Sequence, residues 1–210
     1  VHQSIDVPRA DLRPTITALE QEQAALIESL QPTSLNLKTF VQLTVQQGLA
    51  PEFPSADSHR YLHEQATRRQ HLRKLDADNR AQLDVYRRNV HAMEALTRLR
   101  VNLGLLRLHQ ARYDEAAGAP VAAEVVGLRI GNFAWVTFPG ELPVELGLRL
   151  KQASAHGVTC VSGVTNGYLY YTPTTQQLRN RGRAQEDTDC FVDAGWEELF
   201  VDAATSVLSR

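Results

Sequence analysis

The residues of this chain best placed to do chemistry lie between Trp135 and Pro173. The stretch reads W-V-T-F-P-G-E, then an amphipathic segment, then V-T-C-V-S-G-V-T-N-G-Y-L-Y-Y-T-P. Glu141 follows a Pro-Gly turn, at the expected start of a helix. A carboxylate there has two readings: a first-turn residue that complements the helix dipole, or a metal ligand or general base. Tyr168, Tyr170 and Tyr171 follow Asn166-Gly167. Tyrosines near a strand end commonly pack with the ring inward and the hydroxyl outward. A phenolate becomes a metal ligand only where a strong cation lowers its pKa. His59 and His63 stand four apart and share one helix face, a spacing that can bind zinc. With no third ligand in view and no H-E-x-x-H, they read as an exposed helix start. There is no G-x-S-x-G elbow, Walker loop, G-x-G-x-x-G or paired C-x-x-C, so no complete catalytic set is present.

The elements that must position these groups follow from local patterning. Trp135 to Phe138 is a buried strand running into the Pro-Gly turn. Leu146, Leu148 and Leu150, set among Glu145, Arg149 and Lys151, suit a short helix. Val158 to Val164 is a second buried strand, with Cys160 as a small core residue. Strand, helix and strand make a βαβ unit, and polar groups beyond the carboxyl ends of its strands lie where such sheets bind ligands. Glu141 and Tyr171 are therefore candidates for one shared site. Just upstream, Glu124–Ile130 and Asn132–Phe138 are β-rich runs meeting at Gly131-Asn132, which predicts a tight hairpin. Downstream, Thr174 to Leu178 forms a helical turn and 179–183 a polar loop. Asp193 then caps a last helix whose apolar face is Trp196, Leu199, Phe200, Ala203 and Leu208.

The N-terminal half reads differently. Val1 to Arg13 is an extended arm whose Val1, Ile5 and Val7 suit an edge strand pairing with something outside the arm. Pro14 suits the first turn of a helix with a Leu19, Leu26, Ile27 and Leu30 stripe, ended by Pro32. Ser34 is read as the N-cap of a second helix stopped by Gly48, and Leu49–Ser58 as a loop. From Ser58 to about Ala111 one or two long helices are expected. Leu83, Tyr86, Val90 and Met93 have the 3-4-3 spacing of a seam against another helix. Between Arg60 and Arg107 there are eleven Arg or Lys and five Asp or Glu, a solvated, salt-bridged face rather than a phosphate grip. Ala116–Pro120 is a hinge, which divides the chain into a helical segment, 1–117, and an α/β segment, 118–210.

With 210 residues the chain can bury one full core or two small ones. A net charge of −2 and 7% aromatics argue against a general polyanion binder, so nucleic acid is not an expected partner. No apolar run has the length to span a bilayer, and no signal peptide is visible. Two cysteines make no disulfide framework. The start at Val1 leads us to expect a processed or trimmed piece.

Taken together, F-P-G-E at Phe138–Glu141, N-G-Y-L-Y-Y-T-P-T at Asn166–Thr174 and the closing D-A-G-W-E-E-L-F-V-D-A-A resemble the neutral ceramidase family, most closely its short bacterial relatives. The resemblance covers about Glu124 to Leu208. It implies the C-terminal part of a larger α/β catalytic domain: a zinc amidohydrolase cleaving the N-acyl bond of a sphingolipid or a similar linear amide. By that pattern Glu141 and Tyr171 are zinc ligands, and the two zinc histidines lie in an N-terminal part that this chain lacks and on which it depends for activity. Where the family has a further tyrosine that holds the substrate carbonyl, this chain has Arg183, a donor able to serve an oxyanion or carboxylate of a different amide or ester. A membrane surface enters only through the substrate, and a secreted or periplasmic compartment is favoured over the cytoplasm. The alternative is a ceramidase-like scaffold without chemistry, acting as a binding or assembly module.

Overall fold

The computed structural model describes residues 1–50, 55–179 and 188–209. The described fold is mixed α/β, as the sequence predicts, with helices, a four-stranded sheet and a C-terminal helix. By spatial contact, Val1–Glu20 and Arg100–Arg210 form one compact unit and Gln21–Leu99 a second. These units follow proximity in space, whereas the division at 117 and 118 follows sequence.

In the first unit, strands β1 (His2–Val7), β2 (Val121–Ile130), β3 (Phe133–Thr137) and β4 (Val158–Ser162) lie side by side in that order. The N-terminal arm is β1, antiparallel to β2 from His2 opposite Val126 to Val7 opposite Val121. β2 and β3 form the expected hairpin, with Gly131 at φ +60° in its turn, a conformation that glycine adopts without steric cost. β3 and β4 pair in parallel, in register from Phe133–Val158 to Thr137–Ser162. Helix α5 (Val144–Ala153) makes the crossover between them.

Alternation sets the buried face. Ala123 and Val125 of β2 and Ala134 and Val136 of β3 point into one core with Val7. The last helix, α7 (Trp196–Ser209), closes over that face with Trp196, Phe200, Ala203, Ala204 and Val207. Leu199, expected on its apolar face, is 42% exposed. Between α5 and α7 the one-turn helix α6 (Thr175–Leu178) carries a capping box between Thr174 and Gln177. Cys160 is exposed rather than a core residue, because it pairs with Trp135 on the face opposite the one that Ala134 and Val136 send into the core, while its neighbour Val161 packs against that core.

Helix α1 (Arg13–Ser29) begins in the first unit and ends in the second, and buries no residue completely. In the second unit α2 (Leu37–Leu49) is capped by Asn36, not by Ser34: the Asn36 side chain accepts the Thr39 N–H. Its Phe40 ring stacks on Tyr86 at 4.0 Å. Helix α3 (His59–Ala66) is capped by Ser58, and α4 (His71–Glu115) is a single helix of 45 residues that continues into the first unit. Of the expected seam, Leu83 is fully buried while Met93 is 54% exposed. His59 and His63 are exposed on α3. Among the described residues no helix is long and apolar enough to cross a membrane.

Candidate functional site

The site is built beyond the carboxyl ends of the two parallel strands. β3 runs out through Phe138, whose N–H donates to the Ser162 carbonyl at 2.9 Å. The chain then turns at Pro139-Gly140, and Glu141 forms an isolated parallel bridge with Tyr171. The Glu141 N–H donates to the Tyr170 carbonyl at 2.9 Å, and the Thr172 N–H to the Glu141 carbonyl at 3.2 Å. On its other side the Tyr171 N–H donates to the Asp189 carbonyl at 3.2 Å. Glu141, Tyr171 and Asp189 thus sit on three neighbouring backbone segments. The two residues that the sequence nominates are next to one another, as the βαβ reading predicts.

The reading of Glu141 as a first-turn helix residue is corrected. Helix α5 starts at Val144 after Pro143, and its first-turn acid is Glu145. Glu141 precedes that helix in extended backbone because both of its main-chain groups are used in the bridge. Its Oε1 accepts a hydrogen bond from the Tyr168 hydroxyl at 2.6 Å. That bond, followed by partial burial and the charges of Glu141 and Asp189, pushes the Tyr168 phenol up to about 12. A tyrosine whose folded pKa is raised is favoured in its neutral form. Its contribution is complete below the ordinary value of about 10 and fades as pH rises through that value toward 12. Tyrosine ring NMR on the metal-free chain should show Tyr168 still protonated where an ordinary phenol is half ionised. Glu141→Gln should bring it back toward the ordinary value, and an unchanged titration in that variant would refute the bond.

Zinc accepts carboxylate and, more rarely, phenolate oxygen alongside histidine. Glu141 and Tyr171 offer two such donors, and Tyr168 is the kind of outer partner that orients a carboxylate ligand. Among the described residues no group of three His, Cys, Asp or Glu stands together to hold a metal. Arg183 lies outside the described residues. A cleft of about 440 Å³ opens at Glu141, lined by that residue together with Leu142, Val144, Leu148, Lys151 and Val164.

Sequence reasoning missed the groups under the site. His109, on the part of α4 that belongs to the sheet unit, is fully buried, and its Nε2 lies 2.7 Å from Asp189 Oδ1. Burial pushes the imidazole pKa down, against the pull of Asp189. The neutral ring therefore carries its proton on Nε2, because the carboxylate can only accept, and among the described residues the buried Nδ1 has no partner. Arg112, one turn on, donates to the Tyr170 hydroxyl. The available signal was a stripe: His109 continues the spacing of the buried Leu99, Leu103 and Leu106.

The tyrosine segment is also bent against its preferences. Val164, Asn166 and Tyr170 have φ of 52°, 63° and 59°, and for a side chain other than Gly or Asn that region costs about 1–2 kcal/mol. The Val164 N–H bonds to the Gly140 carbonyl at 3.0 Å and the Leu169 N–H to the Pro139 carbonyl at 2.9 Å, so the Pro-Gly turn of β3 and the tyrosine segment hold each other in shape. The chain matches no protein-family model, no curated protein and no solved structure.

Proposed function

We propose that this chain is the C-terminal portion of a zinc-dependent amidohydrolase resembling the neutral ceramidases, acting on the N-acyl bond of a linear amide or a related ester. The observation that carries the reading is the parallel bridge between Glu141 and Tyr171 beyond the ends of β3 and β4. Zinc in such a site polarises a carbonyl and lowers the pKa of a bound water to near neutrality. Glu141 and Tyr171 are its oxygen ligands from this chain, Tyr168 orients the Glu141 carboxylate, and an upstream segment supplies the histidines. Leu142, Val144, Leu148 and Val164 give the cleft beside Glu141 aliphatic contacts, mixed with the charged Glu141 and Lys151, for the carbon skeleton flanking a polar amide or ester. Arg183 is the proposed donor to the oxyanion.

The test is metal content by mass spectrometry on the protein purified with its upstream segment, for the unmodified chain, Glu141→Ala and Tyr171→Phe. We expect about one zinc per chain, lost in Glu141→Ala and reduced in Tyr171→Phe, with hydrolysis of a linear amide lost in parallel. An unmodified protein that is folded and zinc-free sinks the hydrolase reading and leaves the scaffold that binds or assembles without chemistry.

A further inference from the structure

We infer that the last turns of α4 are a latch: His109 and Arg112 hold Tyr170 in its left-handed conformation and so position Tyr171 against Glu141. The consequence for zinc rests on the function proposed above; the positioning itself does not.

The argument starts from Tyr170, a bulky residue at φ +59°. Such a conformation persists only where the surroundings over-determine it, and here the side chain is gripped from the helix. The His109 ring meets the Tyr170 ring edge-on at 4.7 Å between centroids. Arg112 donates to the Tyr170 hydroxyl, with its guanidinium 5.1 Å from the ring centre. His109 is itself fixed by Asp189, 2.7 Å from its Nε2. Asp189 uses its side chain to hold the helix and its backbone carbonyl to hold the Tyr171 N–H. On the other side, the carbonyl of Tyr170 accepts the Glu141 N–H. Relaxing Tyr170 to an ordinary φ turns the peptide planes that flank it, and those planes carry the bonds joining Glu141, Tyr171 and Asp189. Asn166 and Gly167, in the same segment, show the residue types that serve a bend alone. A tyrosine held by two helical side chains fixes geometry as well as direction. A partner outside the ligand set that orients a metal-binding group is commonly worth a ten- to hundredfold change in affinity.

The test compares His109→Leu, His109→Gln and Arg112→Met in the metal-free chain by amide hydrogen exchange. His109→Leu removes the bond to Asp189 at similar volume. Its expected signature is a roughly tenfold loss of protection at the Glu141, Tyr171 and Thr172 amides, with β2 and β3 amides unchanged. His109→Gln keeps a donor toward Asp189 and should restore most of that protection. Arg112→Met, at a half-buried position, gives the same pattern more weakly and serves if His109→Leu does not fold. Unchanged protection at Glu141 and Tyr171, or a loss spread evenly over the sheet with no rescue by glutamine, overturns the latch. In the protein joined to its upstream segment, zinc affinity should fall ten- to hundredfold in His109→Leu. A latch seen in exchange beside a zinc-free unmodified protein overturns the metal reading and keeps the latch; zinc binding without the exchange signature does the reverse.

Discussion

Gly140→Ala is expected to separate Glu141 from Tyr171 and to destabilise the sheet unit by about 3 kcal/mol, the upper part of the range for overpacking a tight core. A Cβ on Gly140 would stand 2.6 Å from Thr172 Cγ2, 2.7 Å from the Phe138 ring and 2.9 Å from Thr172 Oγ1. Neither neighbour can give way. Thr172 and Phe138 are both fully buried; Phe138 is wedged against Phe200 at 4.4 Å between ring centroids, and Thr172 Oγ1 donates to the Glu141 carbonyl at 2.9 Å. The relief available is to move the Glu141 strand off Tyr171, which breaks the bridge the site depends on. Denaturant unfolding with an unchanged m-value measures the stability loss, and amide hydrogen exchange at Glu141 and Tyr171 measures the loss of the bridge. Gly147→Ala is the control: nothing lies within 4 Å of its added carbon, and in a helix interior alanine is favoured over glycine by up to about 1 kcal/mol. A Gly140→Ala protein with ordinary stability and unchanged exchange at Glu141 and Tyr171 would contradict the argument.

The parts of the fold legible in the sequence are those specified over short range. The Gly131-Asn132 hairpin, the crossover through α5 and the inward face of α7 each depend on alternation or helical spacing within a single segment. Errors occur where a neighbour decides. Ser34 and Asn36 are both good cap residues; the chain uses Asn36, whose side chain accepts the Thr39 N–H, and Leu35 between them is buried. Cys160 sits in an apolar run, but burial of a strand depends on what covers its edge and faces, which its own residues do not encode. The Val90 and Met93 end of the helical seam has the right spacing and is left half open for the same reason.

The site divides along the same line. Parallel strands bring whatever follows their carboxyl ends together, so the meeting of Glu141 and Tyr171 could be expected from topology. The backbone around Glu141 could not, because Pro-Gly-Glu fits a helix start as readily as the extended bridge it forms. His109 lies 80 residues from Asp189, and Arg112 lies 58 from Tyr170; no local pattern pairs them. What the sequence offers is a histidine prolonging a leucine stripe, and its burial beside a carboxylate is a tertiary fact.

Trp196→Ala should be the most damaging single substitution outside the site, costing about 3–5 kcal/mol by the usual measure for a fully buried aromatic cut to alanine. Trp196 has no exposed surface and stacks on Phe138 at 5.5 Å and on Phe200 at 6.1 Å. Its Nε1 donates to the Pro173 carbonyl at 2.9 Å in a buried bond. Trp196→Phe separates the two roles, since it fills most of the volume and leaves the Pro173 carbonyl without its donor, a loss of about 1–3 kcal/mol. Phe138 leads into Glu141, and Pro173 follows Tyr171 and Thr172, so this one ring braces both chain segments of the bridge from below. Urea unfolding should therefore rank the proteins unmodified, Trp196→Phe, Trp196→Ala in falling stability. Amide exchange at Glu141 and Tyr171 in Trp196→Phe should speed up more than exchange at the far, β1 side of the sheet. Equal stability of Trp196→Phe and the unmodified chain would mean that the Pro173 bond contributes nothing. A uniform change in exchange would mean that the tryptophan supports the core at large and not the two strand ends that carry Glu141 and Tyr171.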